Sequence, residues 1–231
     1  MTRARAALVA PVWQDDPHIV TTAEALRLVP HLPAGDAQLI LVCGMRGYGK
    51  TVFVQGMPDG SYPYGYIEER EPRLLVLDIH DDYQRIQRRV EWRDALADLN
   101  ATDGPCRRRV VVSAENCSAF ADEFFPAIIE EDVRNFLLVI EEASAFCKSI
   151  NIKGTALETI ILQGRHWGIR VLAVAQRLGR LPGEFHSEAT QIVSYRMKRP
   201  RDLYILEEWG FQDAEEVAPT LPVGVCWLDE T

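Results

Sequence analysis

Apolar residues in this chain fall into short unbroken runs, and the stretches between them carry helical spacing. The first clear run is Gln38-Leu39-Ile40-Leu41-Val42-Cys43. A continuous apolar run of this length, bounded by turn residues, predicts a strand buried on both faces. The same pattern recurs at 74–78, 110–113, 136–140, 170–175 and 192–196, and 223–228 predicts a last short strand. Helices are predicted between the runs, opening at 50–56 and covering 118–131, 155–167 and 200–209. In the third of these Leu157, Ile160, Ile161 and Gly164 recur at i, i+3, i+4 and i+7. Gly168 and Gly210 stand where a left-handed residue would end a helix. Upstream, Thr21 or Thr22 is placed to cap one short helix through Leu28. Buried runs alternating with helices predict β-α-β units, hence an α/β fold with a mostly parallel central sheet and helices on both faces. The segments 57–71 and 144–154 read as long loops, which in compact domains are often functional.

Composition removes several classes. The chain has 231 residues, 47% hydrophobic and 26% charged, enough for a full core without disulfides or metals. Residues 1–36 are expected to be a lead-in packing on the core, and 37–231 the main domain. No apolar stretch approaches the length of a membrane span, and the start lacks a good signal peptide, so a cytoplasmic protein is expected. The five cysteines are scattered with no C-x-x-C pair and read as reduced, buried thiols. The net charge of −9 argues against a surface that grips nucleic acid everywhere. Contact with DNA would need a local basic feature.

Specific chemistry enters at 44–51, which reads Gly44-Met45-Arg46-Gly47-Tyr48-Gly49-Lys50-Thr51. This is a full G-x-x-x-x-G-K-[ST] match, the Walker A pattern, and it follows a buried run and opens a helix. Glycines let successive N–H groups point into one concave nest, and the following helix turns its positive end to the phosphates. Lys50 is expected to reach the β- and γ-phosphates of ATP, and the Thr51 hydroxyl to ligate Mg²⁺. A second signal is Phe136-Leu137-Leu138-Val139-Ile140-Glu141-Glu142, an apolar strand ending in two carboxylates. Ligands bind at such strand ends in open α/β sheets. Glu141 is expected to hold Mg²⁺ and Glu142 to act as general base on the attacking water. The strand 170–175 then ends in Gln176, whose amide can donate to the γ-phosphate and accept from that water.

Taken together, GMRGYGKT (44–51), LLVIEEA (137–143) and GRHWGIRVLAVAQR (164–177) resemble the HerA/FtsK superfamily of P-loop ATPases. The resemblance spans about 38–210, and one departure is Glu141 where the pattern has Asp. It implies a RecA-like core in which the strand bearing the catalytic Glu lies beside the phosphate-loop strand's neighbour. It also implies a homo-oligomeric ring, usually hexameric, around double-stranded DNA, and an arginine supplied in trans to the neighbour's γ-phosphate. Arg165 falls at that position of the pattern, with Arg177 and Arg180 in reserve. The short chain is similar to the genome-packaging ATPases of tailless, membrane-containing icosahedral viruses. Capsid or portal-vertex proteins would then be partners, and the host cytoplasm or the virion the location.

Other readings remain at this point: a secretion or assembly ATPase of the same superfamily, a small-molecule kinase, or a nucleotide-binding virion scaffold. A GTPase is disfavoured, since Asn151-Ile152-Lys153-Gly154 fails N-K-x-D. A kinase lid would have to be Arg107-Arg108-Arg109, which stands just before a predicted strand. For DNA, the basic candidates are Lys148 and Lys153 in the 144–154 loop, with Tyr62, Tyr64 and Tyr66 as stacking candidates.

Overall fold

The structure is a computed structural model that describes residues 16–29, 39–56, 65–67, 71–83, 85–86 and 88–228. Along the chain run β1 (Ile19–Thr21), α1 (Thr22–Leu28), β2 (Leu39–Cys43), α2 (Lys50–Gln55), β3 (Arg73–Asp78), α3 (Trp92–Asn100), β4 (Cys106–Val111) and α4 (Cys117–Glu130). Then come β5 (Phe136–Ile140), α5 (Ala156–Gln163), β6 (Ile169–Ala175), α6 (Gly183–Glu188), β7 (Gln191–Ser194), α7 (Pro200–Glu208), α8 (Ala214–Val217) and β8 (Val225–Leu228). All eight strands form one sheet in the order β1-β8-β7-β2-β6-β5-β3-β4. From β7 to β4 every pairing is parallel, whereas β8 pairs antiparallel with both β7 and β1.

Alternation along the strands divides the core into two layers. Leu39, Leu41, Cys43, Phe136, Leu138, Ile140, Val171, Ala173 and Ala175 face the layer covered by α3, α4, α5, α7 and α8. Ile40, Val42, Leu137, Val139, Leu172 and Val174 face the layer holding Ala25 of α1 and Phe53 and Val54 of α2. Each central strand is therefore buried on both sides, which is why its sequence is a continuous apolar run. Among the described residues no helix is long and apolar enough to cross a membrane.

Local rules set most boundaries. Thr21 caps α1 in a capping box with Glu24, its side chain accepting from the Glu24 amide. Pro200 opens α7 at the first helical position. Gly168 is left-handed as expected, with φ 67°. The helix predicted at 155–167 instead divides at Gly164 into α5 and a 3₁₀ turn, Gly164–Trp167. There the chain passes close to β6: a Cβ on Gly164 would lie 3.3 Å from the Ile169 carbonyl oxygen.

Four elements go unpredicted. β1, α6 and α8 have three, six and four residues, too few for a period, whereas α3 is amphipathic over nine residues and its signal was missed. One prediction needs correction. The strand predicted at 110–113 begins at Cys106, so Arg107-Arg108-Arg109 lie inside β4 rather than before it. As the sheet's edge, β4 tolerates charge. Arg108 pairs with Asp98 at 2.5 Å and Arg109 with Asp81 at 2.9 Å. These arginines are structural and form no lid.

Candidate nucleotide site

β2 delivers the chain to the 44–51 loop at the C-terminal edge of the sheet. Gly44, Gly47 and Gly49 have φ of 137°, 83° and 121°, values an L side chain rarely adopts. Space confirms the requirement at two of them. A Cβ on Gly44 would stand 2.6 Å from Tyr195 Cβ, and one on Gly49 2.8 Å from Tyr195 Cε1. Tyr195, fully buried, is thus the floor of the loop. Its hydroxyl pairs with Thr22 Oγ1 at 3.0 Å, and Thr22 Oγ1 donates to the Gly224 carbonyl at 3.0 Å. Backbone bonds fix the rim: Gly44 N to Ala175 O at 3.1 Å, Met45 N to Arg196 O at 2.9 Å, and Gly224 N to Tyr48 O at 3.1 Å. Arg196 also donates to the Tyr48 hydroxyl at 3.0 Å.

The Lys50 ammonium is buried and donates to the carbonyls of Gly44 at 2.7 Å and Met45 at 3.1 Å. Burial pulls it below the usual lysine range, while Glu141 and Glu142 pull it back up. A buried ammonium held only by neutral carbonyls stands ready for an anion.

Opposite lies the end of β5. β5 pairs with β6, and β6 with β2, so Glu141, Gln176 and the loop meet across three adjacent strand ends. A cavity of about 470 Å³ is lined by Gly47, Lys50, Thr51, Glu141 and Gln176, together with Thr22, Val223 and Gly224. Glu141 is 6% exposed and accepts a hydrogen bond of 2.5 Å from the Tyr83 hydroxyl. Burial pushes its carboxyl up to about 7, against the opposing pull of Tyr83 and Lys50. Glu142 is left-handed, with φ 51° and ψ 60°. A non-glycine residue there costs about 1–2 kcal/mol. The turn aims its carboxylate sideways: Oε1 accepts from Ser144 Oγ at 2.7 Å and Oε2 from the Gln176 amide at 3.2 Å. Glu142 faces a neighbouring cavity of about 500 Å³ shared with Gln176, Arg177 and Arg180.

The structure brings Lys50, Thr51, Glu141 and Gln176 to one cavity, sets Glu142 in the adjoining one, joined through Gln176, and leaves Arg165 apart. Arg165 is exposed at the opposite end of the sheet, beside Leu39 and Ile169, the first residues of β2 and β6. The seven-residue strand β6 separates it from Gln176, a span of roughly 20 Å. It does not reach the carboxylates of its own chain. Arg177 and Arg180 do lie beside Glu142, but Arg177 is drawn to Asp202 at 3.5 Å. Lys148 and Lys153 are exposed, Lys148 in an ion pair of 2.5 Å with Asp122. Tyr62 and Tyr64 lie outside the described residues. Tyr66 is corrected from a stacking candidate to a core residue: it is buried and stacks on Phe53 at 5.9 Å.

Sequence reading missed Tyr83, Tyr195 and Asp78. Only Asp78 carried a local signal, an Asp at a strand end before a polar turn. Both tyrosines act through contacts with residues far away in sequence.

No protein-family model and no curated protein sequence matches the chain. Solved structures do resemble it. The genome packaging NTPase B204 from Sulfolobus turreted icosahedral virus 2, in complex with AMP, superposes with a TM-score of 0.65 at 16% identity, over 83% of this chain and 92% of that one. Its complex with AMPPCP gives 0.64 at 15% identity, over 84% and 97%. B204 from Sulfolobus turreted icosahedral virus, described as a DNA-packaging ATPase, gives 0.59 at 16% identity, over 84% and 97%. At such identities the likeness is one of fold: the chain has the α/β fold of a P-loop NTPase.

Proposed function

We propose that this protein is a HerA/FtsK-type ATPase that works as a ring and moves double-stranded DNA into a viral capsid. The observation that carries the proposal is the cavity in which a buried lysine, a glycine-built anion nest and a strand-end carboxylate converge. Fold likeness to packaging NTPases supports the choice of substrate and partner.

The residues suit a nucleotide with Mg²⁺. The nest and Lys50 offer positive charge to phosphates, while Thr51 and Glu141 offer the hard oxygen donors that Mg²⁺ accepts beside substrate phosphates. Thr51 and Glu141 would hold the ion, which supplies charge neutralisation at the β- and γ-phosphates. Lys50 and the loop amides bind and orient the phosphate chain. Glu142 takes the proton of the attacking water, its carboxylate oriented by Ser144 and the Gln176 amide. The Gln176 side chain orients that water and reports the γ-phosphate. Arg165 serves the neighbouring subunit's γ-phosphate, a role supported by its position in the family pattern and by its exposure. In a ring, exposed Lys148 and Lys153 are repeated in every subunit, which lets an acidic chain present a basic path to the DNA backbone. The protein acts in the host cytoplasm or on the virion, docked on capsid or portal-vertex proteins.

The test is steady-state ATP hydrolysis with and without linear double-stranded DNA, at low and moderate salt. Turnover stimulated by DNA and weakened by salt is expected. Turnover indifferent to DNA at every salt concentration would defeat the motor reading.

A further inference from the structure

We infer that Tyr83 is a positioning residue that fixes Glu141 for the metal site. This inference rests on the proposed ATPase reading and deepens it. Glutamate at 141 carries one more methylene and one more rotatable bond than aspartate would. A longer carboxylate loses more rotamer freedom when it is fixed on one ligand, and the structure supplies a restraint that fixes it beforehand. The Tyr83 hydroxyl donates to Glu141 Oε2 at 2.5 Å, which leaves Oε1 for the cavity.

The turn that carries Tyr83 is held from three sides. The phenol ring is fully buried in the layer below α1 and α2. From β3, the buried Asp78 carboxylate accepts from the amides of His80 at 3.1 Å, Asp82 at 3.2 Å and Tyr83 at 2.9 Å. From β4, the Arg109 guanidinium lies 3.5 Å from Asp78 and 2.9 Å from Asp81. From α2, Gln55 Nε2 donates to the Asp82 carbonyl at 2.7 Å. The turn at 79–83 is therefore locked to two strands and to the far end of the helix that starts at Lys50. The Glu141 amide donates to the Leu77 carbonyl at 3.0 Å, so backbone and side chain are both referenced to β3. Hydrogen bonds that orient a metal-ligating carboxylate typically account for about 10–100-fold in metal affinity.

The experiment titrates Mg²⁺ against a fluorescent ATP analogue bound to the full chain, starting in EDTA. The readout is the Mg²⁺ concentration that gives half of the metal-dependent tightening. Tyr83→Phe is expected to raise it about tenfold, with affinity in EDTA and melting temperature near wild type. Tyr83→Met, which also lacks the hydroxyl, must shift it in the same direction. In a Glu141→Asp background, where the shortened carboxylate withdraws from the phenol, adding Tyr83→Phe is expected to change it by less than about twofold. Wild-type Mg²⁺ dependence in both Tyr83 variants would overturn the inference. An equal shift in the wild-type and Glu141→Asp backgrounds would also overturn it, because Tyr83 would then act by packing alone. If the wild-type chain failed to bind the analogue at all, the ATPase reading would fall first and this inference with it.

Discussion

At the N-terminal ends of the parallel strands, Arg170 donates to both oxygens of Glu71 through two hydrogen bonds of 2.6 Å, and both side chains are buried. Nearby, Arg73 at the start of β3 gathers the carbonyls of Leu99, Thr102, Arg134 and Asn135. The Arg170–Glu71 pair matches charge with charge, whereas Arg73 clamps the chain through neutral carbonyls alone. At the C-terminal ends Asp78 is matched as well, by three backbone amides and Arg109, but the charged groups around the cavity are matched poorly. Lys50 rests on neutral carbonyls, Glu141 is pushed towards protonation, and Glu142 sits in a strained turn. The two ends share one sheet and comparable burial, so burial does not separate structure from function. The difference is whether a buried charge has a full partner. A complete pair holds the chain together, whereas an incomplete one keeps interaction energy for a ligand.

The contrast can be broken in four ways. The largest effect is expected from Arg165, exposed at the N-terminal ends. Arg165→Ala should lower turnover by about 10³-fold or more, with nucleotide affinity within about threefold of wild type. Mixing it with Glu142→Gln subunits should restore part of the activity; no rescue in demonstrably mixed rings would remove the trans role. At the C-terminal ends, Glu142→Gln should leave ATP bound and cut turnover by about 10²–10⁴-fold. Wild-type turnover in that variant would end the general-base assignment.

The third test concerns the Arg170–Glu71 pair. Glu71→Gln leaves the Arg170 guanidinium facing a neutral amide and should destabilise the fold by about 3–5 kcal/mol in urea unfolding. Turnover per folded molecule should stay unchanged. A loss of turnover at full stability would mean that this end also serves catalysis. The smallest effect is expected beneath the loop. Tyr195→Phe removes the bond to Thr22 and should cost about 1 kcal/mol of stability, the ring still filling the floor. A large loss of nucleotide affinity would show that the hydroxyl tunes the loop as well.

Much of the site was legible because its parts are local. The loop 44–51 announces itself through glycine spacing, and Glu141 and Glu142 through the apolar run they terminate. Local reading considered only the side chain of Gln176; its backbone N–H also donates to Glu142 Oε2 at 3.2 Å, a contact between residues 34 apart. Tyr66 illustrates the opposite error. Its place in a Gly- and Pro-rich segment suggested an exposed ring, but Tyr66 is buried against α2, its amide donating to the Phe53 carbonyl at 2.8 Å. The arginines of β4 misled for a related reason. A strand at a sheet edge need not be apolar, so its first half was invisible to a search for apolar runs.

The sequence by itself determined the class of fold, the order of the central strands' chemistry and the anion nest. Those properties follow from side-chain period and glycine content, which act over a few residues. Only the tertiary structure decided which carboxylate is buried, that Tyr83 holds Glu141 across 58 residues, and that Tyr195 floors a loop almost 150 positions earlier. It also set Arg165 at the far end of the sheet from the site of its own chain. These are consequences of strand order, and strand order is fixed by how two apolar layers close over one sheet rather than by any segment alone.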